Sequence, residues 1–225
     1  MTTHFCLIAC LSTSLMLHAA EPTSFDNIDT AIAKGTLDDI QAYLKNHPES
    51  AKQGASSRPP LELAIMRKKT DAALLLLQAG ADPNTRDASQ RSPLHLAVER
   101  NSPEMVTALL KAGAKPDLLD KDGWTPLHHA GAKNQLETTK ALLDGGANPM
   151  TLSERGGTPL HEAACSGGKE VIEMLLAHHV DPSIRSKEGV TALDIATQYK
   201  NQAAIEILSK TQTNAAPAPK DPAHP

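Results

Sequence analysis

The chain has 225 residues, 22 Lys and Arg against 26 Asp and Glu for a formal net charge of -4, and only 2% aromatic side chains. A mildly acidic chain has no general field for nucleic acid, and so few rings leave no platforms for stacking single-stranded bases. Hydrophobic residues make up 40%, so a core can form, but it must be aliphatic.

Residues 1–20 hold no Asp, Glu, Lys or Arg, and Phe5 to Leu17 is mostly apolar; Ala19-Ala20 and then Glu21-Pro22 follow. The pattern predicts an export signal cleaved after Ala20, with residues 21–24 as a short linker. Its n-region offers only His4 where Lys or Arg is usual. The compact alanine end points to the bacterial periplasm or outer surface. Two other readings stay open: a cytosolic N-terminus, and lipid attachment at Cys10, because Leu7-Ile8-Ala9-Cys10 resembles a lipobox. Cleavage would remove Cys6 and Cys10 and keep Cys165 alone, so an intramolecular disulfide would be excluded. No apolar run reaches the roughly 18 residues of a transmembrane helix.

From residue 25 onward the chain repeats itself. Pro60-Leu61, Pro93-Leu94, Pro126-Leu127, Pro159-Leu160 and Ala192-Leu193 are each 33 residues apart. The same step links Ala31, Ala64, Ala97, Ala130, Ala163 and Ala196, and also Tyr43, Leu76, Leu109, Leu142, Leu175 and Leu208. A fixed period of this size signals a stacked-repeat architecture. Six units are read, at about 25–57, 58–90, 91–123, 124–156, 157–189 and 190–210. The motifs Ser92-Pro93-Leu94-His95-Leu96-Ala97, Thr125-Pro126-Leu127-His128-His129-Ala130 and Thr158-Pro159-Leu160-His161-Glu162-Ala163 resemble the ankyrin-repeat signature. Ala79-Gly80-Ala81-Asp82-Pro83-Asn84 resembles the end of the second ankyrin helix. The resemblance implies an all-α solenoid of stacked helix-turn-helix units joined by β-hairpin-like loops.

Local chemistry supports the same elements. Thr125 suits a helix N-cap and Pro126 the first helical turn. The first helix of each unit should end at the column Gly35, Lys68, Asn101, Asn134, Gly167 and Lys200, where Gly and Asn suit a left-handed cap. The second helix carries paired leucines and ends at Gly80, Gly113 or Gly146; unit five has His178-His179-Val180 there, which puts that turn in doubt. Pro59 leaves unit two without a hydroxyl cap. Units one and six are more polar, as terminal solubility caps must be. Residues 211–225 are Pro/Ala-rich and are expected to be a disordered tail.

Candidates for chemistry are few. His95, His128 and His161 form a column, but successive units lie about 10 Å apart while zinc–nitrogen bonds are about 2 Å, so the three cannot share an ion. The family resemblance implies that these imidazoles are structural and hydrogen-bond to the neighbouring repeat. His161 and Cys165, spaced i,i+4 with Glu162 nearby, carry the alternative of a metal- or thiol-dependent enzyme. His178-His179 could tune binding with pH. No catalytic motif, cofactor or metal is expected from the remaining pattern.

The resemblance further implies binding of another protein through a concave face built from loop tips and first-helix ends, and the chain is expected to be a monomer. In this register the tips are Ala88, Ser89 and Arg91; Lys121, Asp122 and Trp124; Glu154, Arg155 and Gly157; Lys187, Glu188 and Val190. The helix ends are Lys34, Arg67, Arg100, Lys133, Ser166 and Tyr199. Four cations in one column would make a basic stripe about 30 Å long, suited to an acidic segment of a partner. Trp124 is the expected aromatic anchor, free enough that truncating it would leave folding nearly unchanged. The predicted contact set is therefore Trp124, Arg67, Arg100, Lys133, Arg91, Lys121, Asp122, Arg155 and Tyr199. The function expected is non-catalytic: a scaffold, a client stabiliser or an inhibitor, with a secreted effector acting in a host cell as the alternative.

Overall fold

A computed structural model describes residues 25–166 and 168–212; the segment expected to be an export signal, Cys10, Gly167 and residues 213–225 lie outside the described residues. The described residues are helical, arranged as six pairs. The pairs are α1 (Ile28–Lys34) with α2 (Leu37–Asn46), α3 (Pro60–Met66) with α4 (Thr70–Gln78), and α5 (Pro93–Glu99) with α6 (Pro103–Lys111). They continue as α7 (Pro126–Ala132) with α8 (Leu136–Asp144), α9 (Pro159–Ser166) with α10 (Lys169–Ala177), and α11 (Ala192–Gln198) with α12 (Gln202–Gln212). A 3-10 turn at Pro48–Ala51 follows α2. The odd-numbered helices stack in one row and the even-numbered in another. α12 runs to Gln212, past the residue 211 expected to begin the tail.

The periodic columns are the core. Ala31, Ala64, Ala97, Ala130, Ala163 and Ala196 are all 0% exposed, so the first helices touch through methyl groups. Leu76, Leu109, Leu142, Leu175 and Leu208 are equally buried, whereas Tyr43 at the first place in that column is only partly buried. Neither helix of a pair can hide its apolar stripe alone, so each unit is stable only against its neighbours.

The caps carry the 33-residue period into the backbone. The Thr125 hydroxyl accepts from the His128 N–H. Asn27 caps α1, its side chain accepting from Thr30 N at 2.9 Å. α3 follows Pro59 and lacks a side-chain cap, as expected.

Two turn expectations need correction. Lys68, Asn101, Asn134 and Lys200 are left-handed, with φ of 57°, 49°, 52° and 56°. Gly35 in the same column is not: its φ is -80° and ψ 168°, because the adjacent Thr36 caps the next helix from an extended approach. In unit five the turn survives without glycine. His179 takes φ 61°, the place that Gly80, Gly113 and Gly146 hold at 92°, 88° and 88°. An L residue there costs about 1 kcal/mol, which the surrounding stack outweighs.

Between pairs, the chain folds into short fingers. Asp87 N donates to Arg91 O, Asp120 N to Trp124 O, Ser153 N to Gly157 O and Ser186 N to Val190 O. Adjacent fingers are joined by Lys121 N to Ser89 O at 2.9 Å and Lys187 N to Arg155 O at 2.9 Å. The loops are hairpin-like in this sense, with no β-strand among the described residues.

Candidate functional site

The fingers and the C-terminal ends of the first helices form one face. Lys34, Arg67 and Lys133 are exposed on it, and none makes an ion pair or side-chain hydrogen bond within the described residues. Arg100, between them, is half-buried: its Nη2 donates to the Met66 sulfur at 3.2 Å, and its buried Nε has no partner. The stripe therefore holds four cations without carboxylate counter-ions. Beyond Lys133 the column continues as Ser166 and an exposed Tyr199.

Lys121, Asp122 and Arg155 are exposed finger-tip residues. Arg91 is not a free cation. Its guanidinium pairs with Asp87 at 2.8 Å and with Glu99 at 2.7 Å, so its charge is already neutralised. Gly157 is buried and Val190 half-buried, so neither is a tip. Both carbonyls are used by the histidine column instead.

Trp124 also departs from the expectation of a free anchor. It is half-buried, and its ring meets His129 edge-on at 4.9 Å between centroids and His128 at 6.3 Å. Its backbone N–H donates to Asp120 Oδ1 at 2.9 Å. The other oxygen of Asp120 lies 2.6 Å from His129 Nε2. Asp120 is nearly fully buried, yet this imidazole and the backbone donors hold its carboxyl below the usual range against the opposing effect of burial. Trp124, His129 and Asp120 thus form one connected cluster in which the indole is half-buried. His129 and Asp120 were missed by sequence reasoning. The available signal was column-wise: His129 stands where Leu63, Leu96 and Ile195 stand in sister units.

The histidine column does what the resemblance implied. His95, His128 and His161 each accept at Nδ1 from the N–H of Ser92, Thr125 and Thr158, at 3.0, 3.2 and 3.1 Å. A backbone N–H can only donate, so Nδ1 must be bare and Nε2 must carry the proton. Nε2 then donates to the next finger: Trp124 O at 3.0 Å, Gly157 O at 3.1 Å and Val190 O at 3.3 Å. Burial pushes the His95 and His128 pKa values down to about 4 and lowers that of His161.

This tautomer also decides the metal question at the one cluster of suitable groups among the described residues. His95, Asp120 and His129 offer ligand atoms within 4.8 Å of one another. A metal on His95 Nε2 would require a proton on Nδ1, facing the Ser92 N–H donor. His95 is thereby unfit as a ligand, and two residues remain, fewer than a stable site needs. The His161–Cys165 alternative meets the same obstacle, since both nitrogens of His161 are engaged. The Cys165 thiol is pushed up by burial and by Glu162, away from thiolate character. His178 and His179 are exposed at their turn.

A family model described as ankyrin repeats (3 copies) matches residues 61–153 and again 132–217. No curated protein matches the chain. No helix among the described residues is long and apolar enough to cross a membrane.

Proposed function

Because the chain belongs to the ankyrin-repeat family, whose repeats are in general protein–protein interaction modules and typically non-enzymatic, we propose that it binds a partner protein through the finger face and holds an acidic segment along the basic stripe. The observation that carries this reading is the column Lys34, Arg67, Arg100 and Lys133: four cations in register, without carboxylate partners, on a chain of net charge -4. The face is preformed by helix stacking, so binding costs little ordering entropy. The partner's acidic segment would be steered by the stripe and fixed at the Trp124 edge. Scaffold, client stabiliser and inhibitor all use such a surface.

The test is a fluorescein-labelled glutamate-rich peptide titrated against the full chain over a salt series. Wild type should bind with affinity that falls as salt rises, and the Arg67→Glu, Lys133→Glu double variant should lose both the binding and the salt slope. Both residues are exposed, so the fold is left intact. Equal affinity and equal slope in the two proteins would reduce the stripe to solvated surface. The same reading places the protein outside the cytoplasm, on the support of residues 1–20. A mature chain whose mass begins at Glu21 would bear that out, and retention of Met1 would remove it.

A further inference from the structure

The face changes character at its C-terminal end. Between α9 and α11, with the fingers at 153–157 and 186–190 closing one side, lies a cavity of about 200 Å³. Arg155, Glu162, Cys165, Glu188, Ile195 and Tyr199 line it. Glu162 occupies the column that is Leu63, Leu96 and Ile195 in three other units, with Thr30 and His129 in the remaining two. It is half-buried, and its carboxyl makes no hydrogen bond or ion pair among the described residues. Glu188, also without an ion pair, adds a second carboxylate; Arg155 is the one cation. His161 behind them is held neutral by its tautomer. The lining is net negative by one charge, directly beyond a stripe that is wholly positive. Tyr199 brings an aromatic ring that is 59% exposed, positioned by its hydroxyl against the Cys165 thiol.

We propose that this cavity is a subsite for a cationic side chain of the partner, an arginine or lysine that follows the acidic segment held on the stripe. An apolar occupant would leave the Glu162 carboxylate desolvated and unpaired, and an anion would face two carboxylates. A guanidinium or ammonium group satisfies Glu162, is attracted by Glu188, and can lie on the Tyr199 face as cations do on aromatic rings. A cavity of this size admits one side-chain head group rather than a folded element. Burial raises the Glu162 carboxyl above its ordinary range, and the nearby Arg155 offsets only part of that. The groove thereby gains polarity: basic from unit one to unit four, acidic between units five and six. This fixes the direction in which a partner segment can lie.

The inference rests on the finger face being the docking surface, but it can be tested without the stripe. The probe is methylguanidinium, titrated into the isotope-labelled full chain and read by amide chemical shifts. Saturable shifts centred on Glu162, Cys165, Glu188 and Tyr199 are expected. Glu162→Gln, which keeps the shape and removes the charge, should weaken them about fivefold, the worth of a partly screened ion pair. The Arg67→Glu, Lys133→Glu variant should bind methylguanidinium like wild type even as it loses the acidic peptide. Loss of the peptide reading alone thus leaves the subsite standing. Shifts that are scattered or unaffected by Glu162→Gln would overturn it. So would saturable binding of acetate at the same amides, which would make Arg155 the centre of an anion site. A Lys220→Ala variant that binds methylguanidinium several-fold more tightly would show that the chain's own tail fills the cavity, and would overturn a partner as its occupant.

Discussion

His128 gives the sharpest test of how this solenoid is held together. Its ring is 0% exposed, accepts at Nδ1 and donates at Nε2, so there is no room for a second proton. The folded pKa is pushed to about 4, against 6.5 for the free side chain. As pH falls below the unfolded value, the unfolded chain takes up the proton first, and stability is lost until the folded pKa is reached. The full shift corresponds to about 3 kcal/mol at 1.36 kcal/mol per unit. Between pH 7 and pH 4.5 the loss comes to about 2 kcal/mol for this ring, and His95, with the same shift, adds about as much again. The raised carboxyls of Glu62, Asp117 and Glu162 act the other way, because their folded forms take up protons first and gain stability as pH falls. Comparing wild type with His128→Gln cancels those contributions. Urea unfolding followed by helical circular dichroism would be run at pH 7 and pH 4.5 on both proteins. The variant should be less stable at pH 7, having lost the buried bonds to Thr125 and Gly157, but should lose about 2 kcal/mol less than wild type on acidification. Identical acid losses in the two proteins would refute the argument that the buried ring is locked in one neutral tautomer.

Further outcomes follow from particular side chains. Leu109→Ala or Leu142→Ala, each at a fully buried position, should lower the unfolding free energy by about 2–5 kcal/mol in the same urea assay. His179→Gly should stabilise the chain by about 1 kcal/mol, because the turn at φ 61° needs no side chain there; an unchanged or lower midpoint would disprove the strain. Gly113→Ala should cost about 1 kcal/mol from backbone strain at φ 88° alone, since nothing lies within 4 Å of an added methyl group. Trp124→Ala should weaken partner binding by about 2 kcal/mol and, contrary to the picture of a free anchor, should also lower the melting temperature through lost packing on His129. A melting curve that does not move would restore the free-anchor picture.

The repeat was legible because stacking imposes the same environment every 33 residues, and the same environment selects the same residue type. Ala97, Ala130 and Ala163, or Leu109 and Leu142, show burial in their spacing alone. The N-cap of α7 was equally local, requiring only Thr125 and its own helix start. The left-handed caps were legible at Asn101 and Asn134, where residue type and backbone agree. They were illegible at His179 and Gly35, where a turn fixed by the stack overrides local preference. The site followed the same division. Register alone aligned Lys34, Arg67, Arg100 and Lys133, because a column in sequence is a row in space. Which charges are free is a matter of neighbours from other elements. Arg91 is spent on Asp87 and Glu99, Trp124 is clasped by His129, and Glu162 is left half-buried and unpaired above a cavity. Period and caps are properties of short stretches of chain and are written there. Charge pairing, tautomer and cavity depend on distances between units, and only the stacked tertiary structure sets those.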